Sequence, residues 1–100
     1  MRIARFAEAA KLELIQEVEF YENKEAGLGA RFLASIREVV SRAILYPLTG
    51  SPYGKNTRRL LVKDFPFAVI YRCHTDGIVI FAVAHLSKRP WYWRSRIDNG

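Results

Sequence analysis

An α+β fold is predicted for this chain of 100 residues by three observations. Its first half carries two apolar stripes whose members recur at steps of three and four, the period of helices buried on one face. A run rich in Pro and Gly follows, Pro47 to Gly54. Beyond it the apolar residues form short runs of aliphatic and aromatic side chains bounded by turn residues, as strands do. The expected architecture is a two-helix antiparallel hairpin packed on a small antiparallel β-sheet, a three-strand meander with an N-terminal edge strand. Residues 1–100 are read as a single domain.

Each element has its own warrant. Arg2 to Phe6 is short and partly apolar, and is expected to add the edge strand. From Ala7 to about Lys24, the residues Ala7, Ala10, Leu14, Val18 and Tyr21 form one stripe, with Glu13, Glu17 and Glu22 outside it. Gly27 and Gly29 interrupt that pattern. A second stripe, Phe32, Ile36, Val39, Val40 and Ala43, runs from Leu28 to about Leu45. Two helices joined by so short a link return antiparallel with their apolar faces shared. The Pro47 to Gly54 run then stops helical structure by removing backbone donors and admitting positive φ. The strands expected after it are Arg59 to Val62, Phe67 to Arg72 and Ile78 to Ala84, with turns at Asp64-Phe65-Pro66 and Thr75-Asp76-Gly77. The last two strands are apolar at consecutive positions, so both faces of the sheet centre are expected to be covered. The helical hairpin covers one. For the other, two candidates exist: the Arg2 to Phe6 strand, or Trp91-Tyr92-Trp93 folding back across the sheet. Ile97 to Gly100 are expected to fray.

Composition narrows the chemistry. The net charge is +6, and residues 1–54 are balanced while residues 55–100 carry all of it. Such one-sidedness draws a polyanion or an acidic protein. No apolar run approaches the length of a membrane span, so no membrane partner is expected. The start of the chain is read as mature, because Glu8 and Lys11 interrupt any signal-peptide stretch. A lone cysteine, Cys73, excludes an internal disulfide framework, and with His74 and His85 it makes too small a set for a Cys-rich zinc site. No metal and no cofactor are expected, and a reducing cytoplasm is the expected compartment. A domain this small has little depth for an enclosed active site, so function belongs on a surface or in a shallow groove.

The densest stretch is Val83 to Arg96, with four cations, three aromatic residues and one histidine. Interleaved guanidinium and aromatic side chains suit unstacked bases and phosphates, and equally a protein hot spot. The plain reading is that Trp91 and Trp93 cap the sheet with the arginines in solvent. His85 ends the last strand, where an imidazole can move protons near neutral pH, although no triad or ligand spacing accompanies it. His74 reads as loop, and Cys73 as a small buried hydrophobe. Arg58, Arg59 and Lys63 flank the first strand of the meander. Alternation puts Arg59 and Leu61 on one face, so Arg59 forms a cationic groove if it shares that face with Arg89. Lys63 equally reads as a charge that guards a sheet edge.

Taken together, the two-helix hairpin, the Pro/Gly-rich link, an Arg-containing strand, Ile70-Tyr71 closing a strand, and then His85, Arg89-Pro90 and Tyr92-Trp93-Arg94 resemble the RelE/ParE superfamily of bacterial toxins. The resemblance spans nearly the whole chain, and the spacing from His85 through Arg89-Pro90 to Trp93 is its most specific part. It implies a toxin of a type II toxin-antitoxin system, with growth inhibition and plasmid stabilisation as its role. It also implies a cognate antitoxin that folds along the toxin and silences it. RelE-like members cut messenger RNA on the ribosome with several basic side chains and a tyrosine; ParE-like members poison DNA gyrase. Arg59 and Arg89 match the RelE-like basic positions, but Leu61 and Ala68 stand where that branch has cations, and Tyr92 falls about three residues early. The chain therefore resembles the ParE-like branch more. On that reading Arg58, Lys63, Lys88, Arg89, Trp91, Trp93 and Arg94 are the target-binding candidates. On the alternative, a metal-independent endoribonuclease, Arg59, His85, Arg89 and Tyr92 are the catalytic ones. A third expectation is a non-toxic binding module on the same fold.

Overall fold

A computed structural model describes residues 2–98. Strand β1 (Ile3–Phe6) leads into helix α1 (Glu8–Lys24), which returns as α2 (Leu28–Leu45). Strands β2 (Ser51–Pro52), β3 (Arg58–Leu61), β4 (Phe67–His74) and β5 (Gly77–His85) follow, and a short helix α3 (Arg94–Asp98) ends the described chain. The five strands form one sheet in the order β1-β5-β4-β3-β2, giving an α+β fold. No described helix is long and apolar enough to cross a membrane.

The hairpin turns where Gly27 adopts φ 89°, a left-handed conformation that glycine tolerates without strain. The Glu22 carboxylate accepts the Gly27 and Gly29 amides at 2.9 and 3.0 Å, satisfying donors that the start of α2 would otherwise leave free. The two stripes meet as expected. Phe32, Ile36, Val39 and Ala43 are fully buried against Phe67, Val69 and Tyr71 of β4, with Ala10, Leu14, Val18 and Tyr21 of α1 closing the same core. Phe32 makes edge contacts with Phe65 and Phe67 at 5.0 Å between ring centres. The link to the sheet is pinned from below: the Tyr71 hydroxyl donates to the Pro47 carbonyl at 2.7 Å and accepts the Gly50 amide at 3.0 Å.

Several expectations change. The N-terminal strand exists, but β1 runs parallel to β5, Ile3 opposite Gly77 and Phe6 opposite Ile80, so the sheet is not wholly antiparallel. Strand direction depends on where the chain must leave for α1, which period-two patterning does not encode. Ser51 and Pro52, read as part of the link, pair with Arg59 and Arg58 as a fifth strand. Strand β4 runs on to His74, so His74 is in a strand rather than a loop, and Cys73, near its end, is exposed rather than buried. The tail is docked: Trp93 is 2% exposed and packs with Ile70, Ala82 and Ala84 on the face opposite the helices. Ile97 and Asp98 belong to α3 rather than to a frayed end, while Asn99 and Gly100 lie outside the described residues.

Candidate functional site

The sheet face opposite the helices is built around a stack. Arg59 leaves β3 on that face, as alternation predicts, and its guanidinium lies 4.7 Å from the centre of the Tyr53 ring. Trp91 stacks on Tyr53 at 4.8 Å with an 11° tilt, and Trp93 leans against both. Gly54 makes room for this arrangement. A Cβ there would sit 2.2 Å from the Trp91 ring, and its φ of 88° suits glycine alone. Trp91 is itself held at φ 68°, an uncommon conformation for a bulky residue.

A second group of side chains ties the tail to α1. In β4 and β5, Tyr71 faces Ile80 and Ile70 faces Ala82, which leaves Phe81 as an extra residue bulged out of the ladder. Strand β1 stops at Phe6, opposite Ile80, so the edge of β5 beyond it has backbone groups to satisfy. Two side chains do so. Glu13 accepts the Val83 amide at 3.1 Å, and Arg96 donates to the Phe81 carbonyl at 2.8 Å. The same two groups pair with each other through both carboxylate oxygens at 2.8 and 3.0 Å. Tyr92 donates its hydroxyl to Glu13 at 2.6 Å. Burial raises the Tyr92 pKa well above the ordinary tyrosine value, and the bond to Glu13 raises it further. Arg96 is likewise raised, chiefly by its bonds to Glu13.

The sequence-predicted residues divide by location. Arg59, His85, Arg89 and Tyr92 all line one hollow on the face opposite the helices, with Lys88 and Trp93. Its volume is about 50 Å³, enough for a few waters and not for an enclosed base. His85 Nδ1 accepts the Ser87 amide at 3.0 Å, which puts the proton of the neutral ring on Nε2. Lys88 lies 5.5 Å over the Tyr92 ring. Arg89, Trp91 and Arg94 are exposed along the tail, whereas Trp93 is core. Arg58 donates to the Gly50 and Leu48 carbonyls at 2.7 and 3.3 Å, which commits it to the link. Lys63 is exposed in the β3–β4 turn, at the end of the sheet where Leu86 bonds the Pro66 carbonyl. Among the described residues no group of three or more His, Cys, Asp or Glu could hold a metal ion.

Three residues that organise this surface escape sequence reasoning. Glu13 reads as a solvent residue beside the α1 stripe, Arg96 as one more tail cation, and Tyr53 as part of a turn. Their signal is tertiary: Glu13 and Arg96 lie 83 residues apart in sequence, and Tyr53 takes its place from the distant Trp91 as well as from nearby Arg59.

The structure is a small α+β fold with a docked cationic-aromatic tail on the sheet face opposite the helices. A scan of protein families and a search of curated proteins return no match to this chain. Among solved structures it is similar to a chain from the "Chromosomal ParDE TA system from P. aeruginosa", with a TM-score of 0.68 and 18% identity over 85% of this chain and 96% of that one. The likeness establishes a shared fold.

Proposed function

We propose that this protein is the toxin of a type II toxin-antitoxin pair, acting by binding and poisoning DNA gyrase, and neutralised by a cognate antitoxin. The observation that carries this reading is the tail itself, on a fold shared with a chain of a ParDE system. It is not a loose end. Trp93 and the Glu13–Arg96 pair hold it against the sheet, so Arg89, Trp91 and Arg94 project from a rigid base. Pre-organised aromatic and guanidinium anchors of this kind are what protein hot spots use. Helix α1 leaves Leu12, Ile15 and Phe20 about half exposed, an apolar strip of the kind an antitoxin segment would cover.

The ribonuclease reading has one observation in its favour: Arg59, His85, Arg89 and Tyr92 share a hollow. Against it, the hollow is water-sized, and Tyr92 holds its proton tightly in a bond to Glu13. Inducible expression in a bacterium lacking the antitoxin separates the readings. Gyrase poisoning alters plasmid supercoiling and traps cleavage complexes while messages stay intact. Rapid message cleavage with normal topology would replace the proposal with the ribonuclease. Unimpaired growth would leave only a non-toxic binding module.

A further inference from the structure

A second and larger hollow lies beyond Trp91, between the 54–57 loop and the start of α3, with a volume of about 580 Å³. It shares only Trp93 with the hollow that holds Arg89. From its walls we infer that it binds a nucleotide, with the base stacked on Trp91 and the phosphate held between Lys55 and Arg94.

Trp91 supplies the first argument. Its ring is stacked on Tyr53 and touched by Trp93, yet 42% of the residue remains exposed and it lines the hollow. Trp91 ends the series Arg59, Tyr53, Trp91 where the hollow begins, and a base is the next flat group such a stack accepts. The backbone is held in place for this. Trp91 and Asn56 both have positive φ, and Gly54 leaves the space that the indole fills. Asn tolerates that conformation, whereas a bulky Trp carries strain there, which persists where the surroundings enforce it. Arg72 does part of the enforcing, donating to the Asn56 and Lys55 carbonyls at 3.1 and 3.3 Å and so setting the course of the loop.

Charge supplies the second. Lys55 and Arg94 are both exposed, and within the described residues neither has a hydrogen bond or ion pair that would occupy its charge. Among the described residues no carboxylate lines the hollow. An acidic peptide would satisfy the cations and leave the indole face bare. A nucleotide satisfies both at once, because its anionic group is joined to a planar ring. The volume lies within the range of small-ligand pockets. The same chemistry is offered by a free mononucleotide and by one nucleotide of a single strand.

Calorimetric titration of the purified protein tests this with four probes: adenosine diphosphate, an eight-nucleotide single-stranded RNA, pyrophosphate, and an acidic octapeptide. Saturable binding of the diphosphate or the RNA is expected, with pyrophosphate and peptide weaker by about ten-fold or more. Whichever of the two nucleotide probes binds tighter identifies the source. Trp91→Ala should weaken nucleotide binding by about ten-fold or more and leave pyrophosphate binding unchanged. Arg94→Ala, at an exposed position, should weaken both nucleotide and pyrophosphate, and keeps the test valid if Trp91→Ala misfolds by circular dichroism. The inference is overturned by pyrophosphate or peptide binding as tightly as the nucleotide probes, by a well-folded Trp91→Ala with unchanged affinity, or by no saturable nucleotide binding up to about 1 mM.

Discussion

Replacing Glu13 by alanine should detach the tail from the body of the protein. Its carboxylate accepts four hydrogen bonds: two from Arg96 at 2.8 and 3.0 Å, one from the Tyr92 hydroxyl at 2.6 Å and one from the Val83 amide at 3.1 Å. The Glu13 and Arg96 side chains are 19% and 18% exposed, so water does little to replace those bonds. Removing one partner of a buried ion pair costs about 3–5 kcal/mol, because the other is left uncompensated. Here Arg96 keeps the Phe81 carbonyl and some solvent contact, which lowers the expected cost to about 2–4 kcal/mol. The loss is paid locally. Once the cost exceeds the docking free energy of residues 91–98, the tail opens by itself and global stability falls no further. Urea unfolding followed by tryptophan emission reads both effects, since Trp93 leaves a buried site when the tail opens. Glu13→Gln keeps an acceptor and the side-chain volume and should cost about 1–2 kcal/mol. A double-mutant cycle with Arg96→Met isolates the coupling of the pair. If Glu13→Ala changed stability by less than about 0.5 kcal/mol with emission unaltered, the tail would be held by Trp93 packing alone and the reasoning would fail.

Stability should decline as the pH rises through 10.0, the ordinary tyrosine value, because Tyr92 ionises there in the unfolded chain but holds its proton in the folded one. Its contribution is complete below that pH and disappears towards the raised folded value; Tyr92→Phe should flatten the decline in alkaline urea titrations without abolishing it, since burial also raises Tyr71 and Tyr21. Gly77→Ala should unpair β1 from β5, because its Cβ would fall 1.7 Å from the Ile3 carbonyl oxygen and its φ is 148°. A loss of about 3 kcal/mol or more in thermal unfolding, with faster amide exchange in Ile3 to Phe6, would show it. Gly54→Ala combines an unfavourable φ with a contact against the Trp91 ring, and should cost about 2 kcal/mol and weaken the near-ultraviolet dichroism of the Tyr53–Trp91 stack.

The sequence by itself determined the helical hairpin, the meander and the face on which each core residue lies. These follow from local periodicity, and Phe32, Ile36 and Val69 are buried where their spacing puts them. It also determined that the net charge belongs to the second half and, because alternation along a strand fixes the side on which a residue emerges, that Arg59 and Leu60 leave β3 on opposite faces. That Arg89 lines the same hollow as Arg59 was left open by the sequence and decided by the fold. Only the tertiary structure decided the direction of β1, the exposure of Cys73 and the order of the tail. Each depends on what another element covers, which no local window contains. Glu13 is the clearest case. One step along α1 from the buried stripe, it is indistinguishable in sequence from Glu17, and it becomes the anchor of the tail because β1 ends at Phe6 and the bulge at Phe81 leaves the edge of β5 unsatisfied beside it.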